Sequence, residues 1–281
     1  MLIDLRQMAT FGVAGNFTGH LEQAGEARDF TNVKTKEANA PKALFPTFIP
    51  NAHNAVPNYL KVFPFDEYRI NFPKGEQKLQ IEPEMAIICE VEWYGDKVVS
   101  LHPKVFGASN DCSIRKEGAK KISEKKNWGE SSKGFASNAI AIDKFEKGGI
   151  LDRYRIASFL VRDSIPYVYG EDSAVRDYSY FYDKLLEWCI DKLNHQQNEG
   201  PAEDLHLYLN DTTSKVKEIL ISVGATRYTE YGKTNFLQNG DKSVVVLYPE
   251  DVYTFDEIFN RVNKDNLEED DISVLIQEVN L

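Results

Sequence analysis

The sequence predicts a mostly β fold with helical decoration, an α+β chain organised as a single domain over residues 1–281. Three observations predict it. Short runs dominated by Val, Ile, Leu, Tyr and Phe recur at 85–93, 97–101, 138–142, 154–162, 205–209, 217–223 and 243–248, and such runs bounded by turn residues read as strands. Only two segments carry helical spacing. The 281 residues show no internal repeat and no long linker, and a chain of that length can bury one large core.

The elements follow in order. Gly12, Gly15 and Gly19 open the chain, but their spacing fits neither a dinucleotide nor a phosphate loop. Residues 20–45 are rich in Glu, Lys, Ala and Asn and read as a polar excursion. Pro46, Pro50, Pro57, Pro64 and Pro73 make 46–80 loop-rich. Met85 to Trp93 is apolar and β-prone. The strongest helix is expected at 174–194, where Tyr178, Phe181, Tyr182, Leu185, Leu186, Cys189 and Leu193 form one stripe. A second helix is expected at 254–263, since Thr254 with Glu257 three residues on is a capping-box pattern. The acidic residues 264–281 read as a surface tail.

Charge narrows the function classes. The formal net charge is −11, which disfavours non-specific nucleic-acid binding and an anionic membrane surface. No apolar run approaches the ~18 residues needed to span a bilayer, and the first residues do not read as a signal peptide. Cys89, Cys112 and Cys189 are widely spaced, which suits buried free thiols in a cytoplasmic protein. His53, His102, His195 and His206 show no metal-ligand spacing and read as surface or strand residues.

The chemistry concentrates in Glu82-Pro83-Glu84 and Asp111, which follows Glu84 by 27 residues. Two carboxylates one residue apart point to the same face of an extended segment. Asp111 stands where another apolar stretch ends in turn residues. Three carboxylates converging on one point require a cation, and hard oxygen ligands select Mg²⁺, Mn²⁺ or Ca²⁺ over zinc. Arg115 and Lys133 follow as candidate anion-binding cations. His20, in its Gly-rich stretch, is the candidate general base, with Glu22 or Glu26 available to orient it. Trp128 reads equally as a pocket aromatic or a core anchor.

These blocks, in this order, resemble the fumarylacetoacetate hydrolase superfamily. Gly15-Asn16-Phe17-Thr18-Gly19-His20 is similar to its first catalytic block, and Pro46-Thr47-Phe48 to its substrate-side segment. Ile81 to Ile88 looks like its metal strand, and Phe106 to Arg115 like its N-D-x-S-x-R block. Trp128, Lys133-Gly134-Phe135, Gly224-Ala225-Thr226 and the Phe236-to-Asp241 stretch resemble its closing motifs. The match covers roughly 10–250 and is weak between 144 and 215. Gln23, Lys116, Gly118 and Ala136 depart from the family pattern, which suggests a divergent bacterial branch. The resemblance implies a β-roll, a lid-like segment over the site within 20–45, and a homodimer. It also implies Mg²⁺ (or Mn²⁺ or Ca²⁺) held by Glu82, Glu84 and Asp111. His20, Lys133 and Glu22 fall at catalytic positions, and Arg115, Lys133 and Thr226 at substrate-binding ones. The implied activity is hydrolysis of a carbon–carbon bond in a small anionic β-dicarbonyl (acylpyruvate-like) acid through an enolate held at the cation. Decarboxylation or tautomerisation of oxaloacetate-like acids, or a metal-binding scaffold without turnover, are the alternatives.

Overall fold

Two sheets packed on each other form the body of the protein. The structure is a computed structural model and describes residues 3–26, 30, 35–116 and 118–281. Its strands are β1 (Ala9–Ala14), β2 (Ala43–Phe48), β3 (Arg69–Asn71), β4 (Leu79–Gln80), β5 (Pro83–Tyr94), β6 (Lys97–Asn110) and β7 (Ser113–Ile114). They continue with β8 (Gly134–Phe135), β9 (Ile140–Ala141), β10 (Tyr154–Arg162), β11 (Ile165–Ala174), β12 (Glu218–Ser222), β13 (Lys242–Pro249) and β14 (Ser273–Asn280). The helices are α1 (His20–Gln23), α2 (Tyr182–His195), α3 (Leu205–Asn210), α4 (Glu230–Thr234) and α5 (Phe255–Asn263). The first sheet runs β2-β1-β12-β5-β6-β8, with β9 also paired to β6. The second runs β11-β10-β13-β14-β3, and β4 pairs with β7 apart from both. The mostly β class with few helices is what the sequence predicts.

The β5–β6 hairpin is the spine. Residues 83–89 are buried on both faces, after which 90–94 alternate between exposed and half-buried. The first half is therefore covered on both faces, while the outer half shows one face to water. The second sheet supplies the cover. Phe106 of β6 meets Tyr154 edge-to-face at 4.8 Å, and the Ala108 amide donates to Ser273 Oγ of β14 at 2.9 Å. A single apolar cluster runs through both layers, from Phe11 and Ile87 to Ile156, Leu247 and Leu275. Helix α5 closes the outer face of the second sheet by burying Ile258 and Val262 with Phe159 and Val246. Its start is the expected capping box, with the Thr254 hydroxyl accepting from the Glu257 amide and the Glu257 carboxylate from the Thr254 amide.

Three expectations are corrected. The helix expected at 174–194 begins only at Tyr182, because Val175–Asp177 forms a 3₁₀ turn and the chain then runs extended. There the Tyr178 hydroxyl donates to Gly224 O at 2.8 Å, so this aromatic enters the core without being helical. Residues 205–209 form helix α3 instead of a strand, since Asp204 caps it by accepting from the Leu207 amide. The stretch 264–281 is no surface tail. Its Ser273–Asn280 portion is β14, paired antiparallel with β13 and parallel with β3. Of the lid-like segment 20–45, residues 27–29 and 31–34 lie outside the described residues. Among the described residues no helix is long and apolar enough to cross a membrane. The three cysteines are buried free thiols.

Candidate metal centre

The hairpin register brings the carboxylates together. Pro83 pairs with Asn110 and Glu84 with Ser109, so the start of β5 lies beside the end of β6 and beside Asp111. The Asp111 amide donates to Glu82 O at 3.1 Å, and the Glu82 amide donates to Asn110 Oδ1 at 3.1 Å. Glu82, Glu84 and Asp111 are all buried, with one donor atom from each lying within 4.8 Å of the others. A hard divalent ion holds its oxygens at about 2.0–2.6 Å, so donors around one ion lie no more than about 5 Å apart. The three carboxylates therefore fit such an ion.

Each carboxylate is held differently. Glu84 Oε2 accepts from the Gly224 amide at 2.8 Å. Gly224 has φ +126, a conformation open to glycine, and an added Cβ would meet Asn16 Cβ at 3.1 Å. Burial, then the neighbouring Asp111 and Glu82 charges, push the Glu84 carboxyl well above its ordinary range. Glu82 is the opposite case. Burial resists its ionisation, but Lys126 and Arg115 outweigh that and hold its carboxyl well below the ordinary range. Lys126 Nζ lies 2.5 Å from Glu82 Oε2 and 2.8 Å from Asp111 Oδ2. Glu82 Oε1 faces Arg115 Nη2 at 2.7 Å, and Asp111 Oδ1 faces Lys133 Nζ at 3.2 Å. Glu82 Oε1 and Asp111 Oδ2 have no well-aligned hydrogen bond and are held by these ion pairs alone.

A second ring surrounds the first. Arg115 donates through Nε to Gln80 at 2.6 Å, through Nη1 to Glu26 at 2.7 Å and through Nη2 to the Tyr228 hydroxyl at 2.9 Å. Lys125 Nζ lies 2.8 Å from Glu26 Oε1. Three of the carboxylates (Glu26, Glu82, Asp111) thus pair with four basic side chains (Arg115, Lys125, Lys126, Lys133) among the described residues, whereas Glu84 is held by the Gly224 amide.

His20 is buried at the start of α1 and lines the same cavity as Glu26, Glu82, Glu84 and Lys126. Its Nδ1 lies 2.8 Å from Thr226 O. A carbonyl only accepts, so Nδ1 carries the proton and Nε2 keeps its lone pair. Burial lowers the His20 pKa, favouring this neutral form. The cavity is about 10 Å³, close to the room one water takes.

The other sequence-predicted residues take the following places. Glu22 is exposed on α1, whereas Glu26 is 8 % exposed and lines the cavity of His20 together with Glu82 and Glu84. Thr226 reaches His20 through its backbone carbonyl. Lys133 is buried, donates to Cys112 O and lies 5.0 Å from the Trp128 ring; burial lowers its pKa. Trp128 is half-buried against the core, with its Nε1 donating to Asn71 O at 2.9 Å. The sequence names Asn110 only as part of its N-D-x-S-x-R block, without a role, and Lys126 goes unmarked. The signal for Lys126 was charge balance: three buried carboxylates need nearby cations, and 120–126 supplies four lysines, of which Lys125 and Lys126 lie between Ile122 and Trp128.

Comparison with known proteins agrees with this architecture. Residues 26–279 match the family described as "Family of unknown function (DUF5718)". No curated protein matches the chain. Among solved structures, 2-keto-3-deoxy-D-arabinonate dehydratase complexed with magnesium and 2,5-dioxopentanoate aligns with TM-score 0.52 at 14% identity. That alignment covers 97% of this chain and 72% of the other. A protein of Yersinia pestis CO92, described as a fumarylacetoacetate hydrolase family protein, aligns with TM-score 0.51 at 11% identity over 96% and 92% of the two chains. One of Oleispira antarctica, described as a fumarylacetoacetate isomerase/hydrolase, aligns with TM-score 0.53 at 12% identity over 97% and 93%. The chain therefore belongs to the DUF5718 family, and its fold is that of the fumarylacetoacetate hydrolase superfamily.

Proposed function

We propose that this chain is a divalent-metal-dependent enzyme that hydrolyses a carbon–carbon bond in a small anionic β-dicarbonyl acid of the acylpyruvate type. The observation that carries the reading is the buried Glu82, Glu84 and Asp111 cluster, whose donor atoms lie within 4.8 Å of one another. The magnesium held by one structural neighbour, a dehydratase, supports the metal-dependent part of it. A Mg²⁺ or Mn²⁺ ion held by these three residues would supply Lewis acidity toward a carbonyl oxygen. His20 is set to take a proton from water at Nε2, because the Thr226 carbonyl fixes the other ring nitrogen as the donor. Lys133, buried beside Asp111, is placed to offset negative charge developing on a substrate oxygen. The cavity beside His20, Glu82 and Glu84 has room for about one water, so a substrate needs the site to open. The same reading carries a cytosolic homodimer as its expected form.

A second reading, a scaffold that kept the fold without turnover, is favoured by one observation. Arg115 already engages Gln80, Glu26, Tyr228 and Glu82 and has no guanidinium edge turned to a ligand. Turnover of acylpyruvates and oxaloacetate with Mn²⁺ separates the readings. Wild-type protein is expected to bind Mn²⁺ by calorimetry and cleave an acylpyruvate. Glu84→Ala should lose the metal, and His20→Ala should keep it while kcat falls about 10²–10⁴-fold. Loss of carbon dioxide from oxaloacetate alone would move the assignment to decarboxylation. Metal binding without turnover of any keto acid would favour the scaffold.

A further inference from the structure

We propose that Lys126 is the resident counter-cation of the metal centre: its ammonium holds the divalent position in the metal-free protein and withdraws when an ion binds. The inference rests on the metal-binding reading above. Lys126 is 2 % exposed, and its Nζ bridges Glu82 Oε2 and Asp111 Oδ2 at 2.5 and 2.8 Å. Of the cations around the cluster, it is the one that spans two of the three ligands. Arg115 takes the other oxygen of Glu82, and Lys133 the other oxygen of Asp111. Those two contacts are compatible with an ion on Glu82 Oε2 and Asp111 Oδ2, whereas the Lys126 contact is not. An ion about 2.1 Å from each of these oxygens would sit within a few ångströms of the ammonium, where two positive charges repel strongly in a buried site.

The side chain is suited to exchange. A lysine head is a compact point charge on a flexible four-carbon stem, so it can move without its backbone. The backbone here is fixed, since the Lys126 amide donates to Ser123 O at 3.1 Å at the end of a 3₁₀ turn. In its seat the ammonium also lies 5.3 Å from the centre of the Phe45 ring. A buried carboxylate cluster left without its counter-ion is strongly destabilising. With Lys126 in place, the metal-free protein keeps its fold, and loading trades one cation for another.

The test compares Mn²⁺ binding and thermal melting of wild type and Lys126→Met, which keeps the stem and removes the charge. The wild type should stay folded and melt cooperatively in EDTA, and saturating Mn²⁺ should raise its melting temperature less than it raises that of Lys126→Met. Lys126→Met should bind Mn²⁺ at least tenfold more tightly, melt several degrees lower in EDTA and recover with Mn²⁺. Equal or weaker Mn²⁺ binding by Lys126→Met overturns the exchange and leaves the metal reading standing. Absence of Mn²⁺ binding in both proteins overturns the two together. If Lys126→Met cannot be obtained folded, a crystal structure of the Mn²⁺-loaded wild type decides. An Nζ still bonded to both Glu82 and Asp111 beside the bound ion defeats the proposal, and a withdrawn one supports it.

Discussion

Asn110 shows how one side chain can hold a buried carboxylate cluster in place across two sheets. It is fully buried. Its Oδ1 accepts from the Glu82 amide at 3.1 Å, and its Nδ2 donates to Ser243 Oγ at 3.2 Å and Gln277 Oε1 at 3.1 Å. It thereby joins the metal strand to the second sheet. Asn110→Ala would leave three buried polar groups short of a partner, each worth about 1–3 kcal/mol. Some relaxation is expected, so a loss of about 3 kcal/mol in urea unfolding is the predicted outcome. A loss below about 1 kcal/mol would mean the two sheets are not joined here. The carboxylates themselves were legible in the sequence because extended backbone places i and i+2 on one face, and that rule needs no knowledge of the fold. Lys126 was not. Its role depends on a contact made across the fold, from a lysine-rich loop to Glu82 and Asp111, and a charged residue in such a loop reads by default as solvated. Glu26 was legible as a neighbour for His20, but its ion pair with Arg115 was not.

The 3₁₀ turn Ile122–Lys125 is the element that carries Lys125 and Lys126 inward. Its anchor is Ser123, which lies 2.8 Å from the Tyr59 hydroxyl and donates to Glu203. Glu203 is nearly buried, and burial raises its carboxyl pKa to about 7. The sign of the pH effect follows. A carboxyl whose folded pKa lies above its unfolded value favours the fold fully below about 4.5, and that contribution is lost as pH rises towards about 7. The interval corresponds to about 3 kcal/mol at ~1.4 kcal/mol per pH unit. Glu203→Gln removes the titration. Its stability relative to wild type should therefore grow by about 2–3 kcal/mol between pH 5 and pH 8 in urea titrations. A difference that stays flat across that range would show that Glu203 keeps one protonation state. At this scale strands such as 154–162 were readable from their apolar runs. The helix at Leu205–Asn210 was not, because five residues of Leu-His-Leu-Tyr-Leu alternate like a strand, and only the Asp204 cap selects the helix.

At the scale of the whole molecule, the C-terminal strand locks the site to the second sheet. Residues 264–281 looked like a solvated tail because their acidic residues cluster at 268–271 and Gln277 and Glu278 cut short the apolar run that follows. In the fold, β14 sits between β13 and β3, with Ser273, Leu275, Gln277 and Val279 facing inward. Gln277 Nε2 donates to Asp66 O at 2.8 Å and to Arg69 O and Lys133 O at 3.2 Å, while its Oε1 accepts from Asn110. Gly134 makes room for this contact, since an added Cβ there would lie 2.5 Å from Gln277 Nε2. Removing residues 273–281 would uncover the β13 edge, leave β3 without its partner and orphan the polar groups around Asn110 and Lys133. An exposed apolar edge pairs with other chains, so the truncated protein is expected to be insoluble or unfolded by circular dichroism. Removing Leu281 alone, 88% exposed, should leave melting and Mn²⁺ binding unchanged. A soluble 1–272 chain that melts cooperatively and binds Mn²⁺ as the full chain does would show that the metal centre stands on the first sheet alone, with the C-terminal strand as covering and not as support.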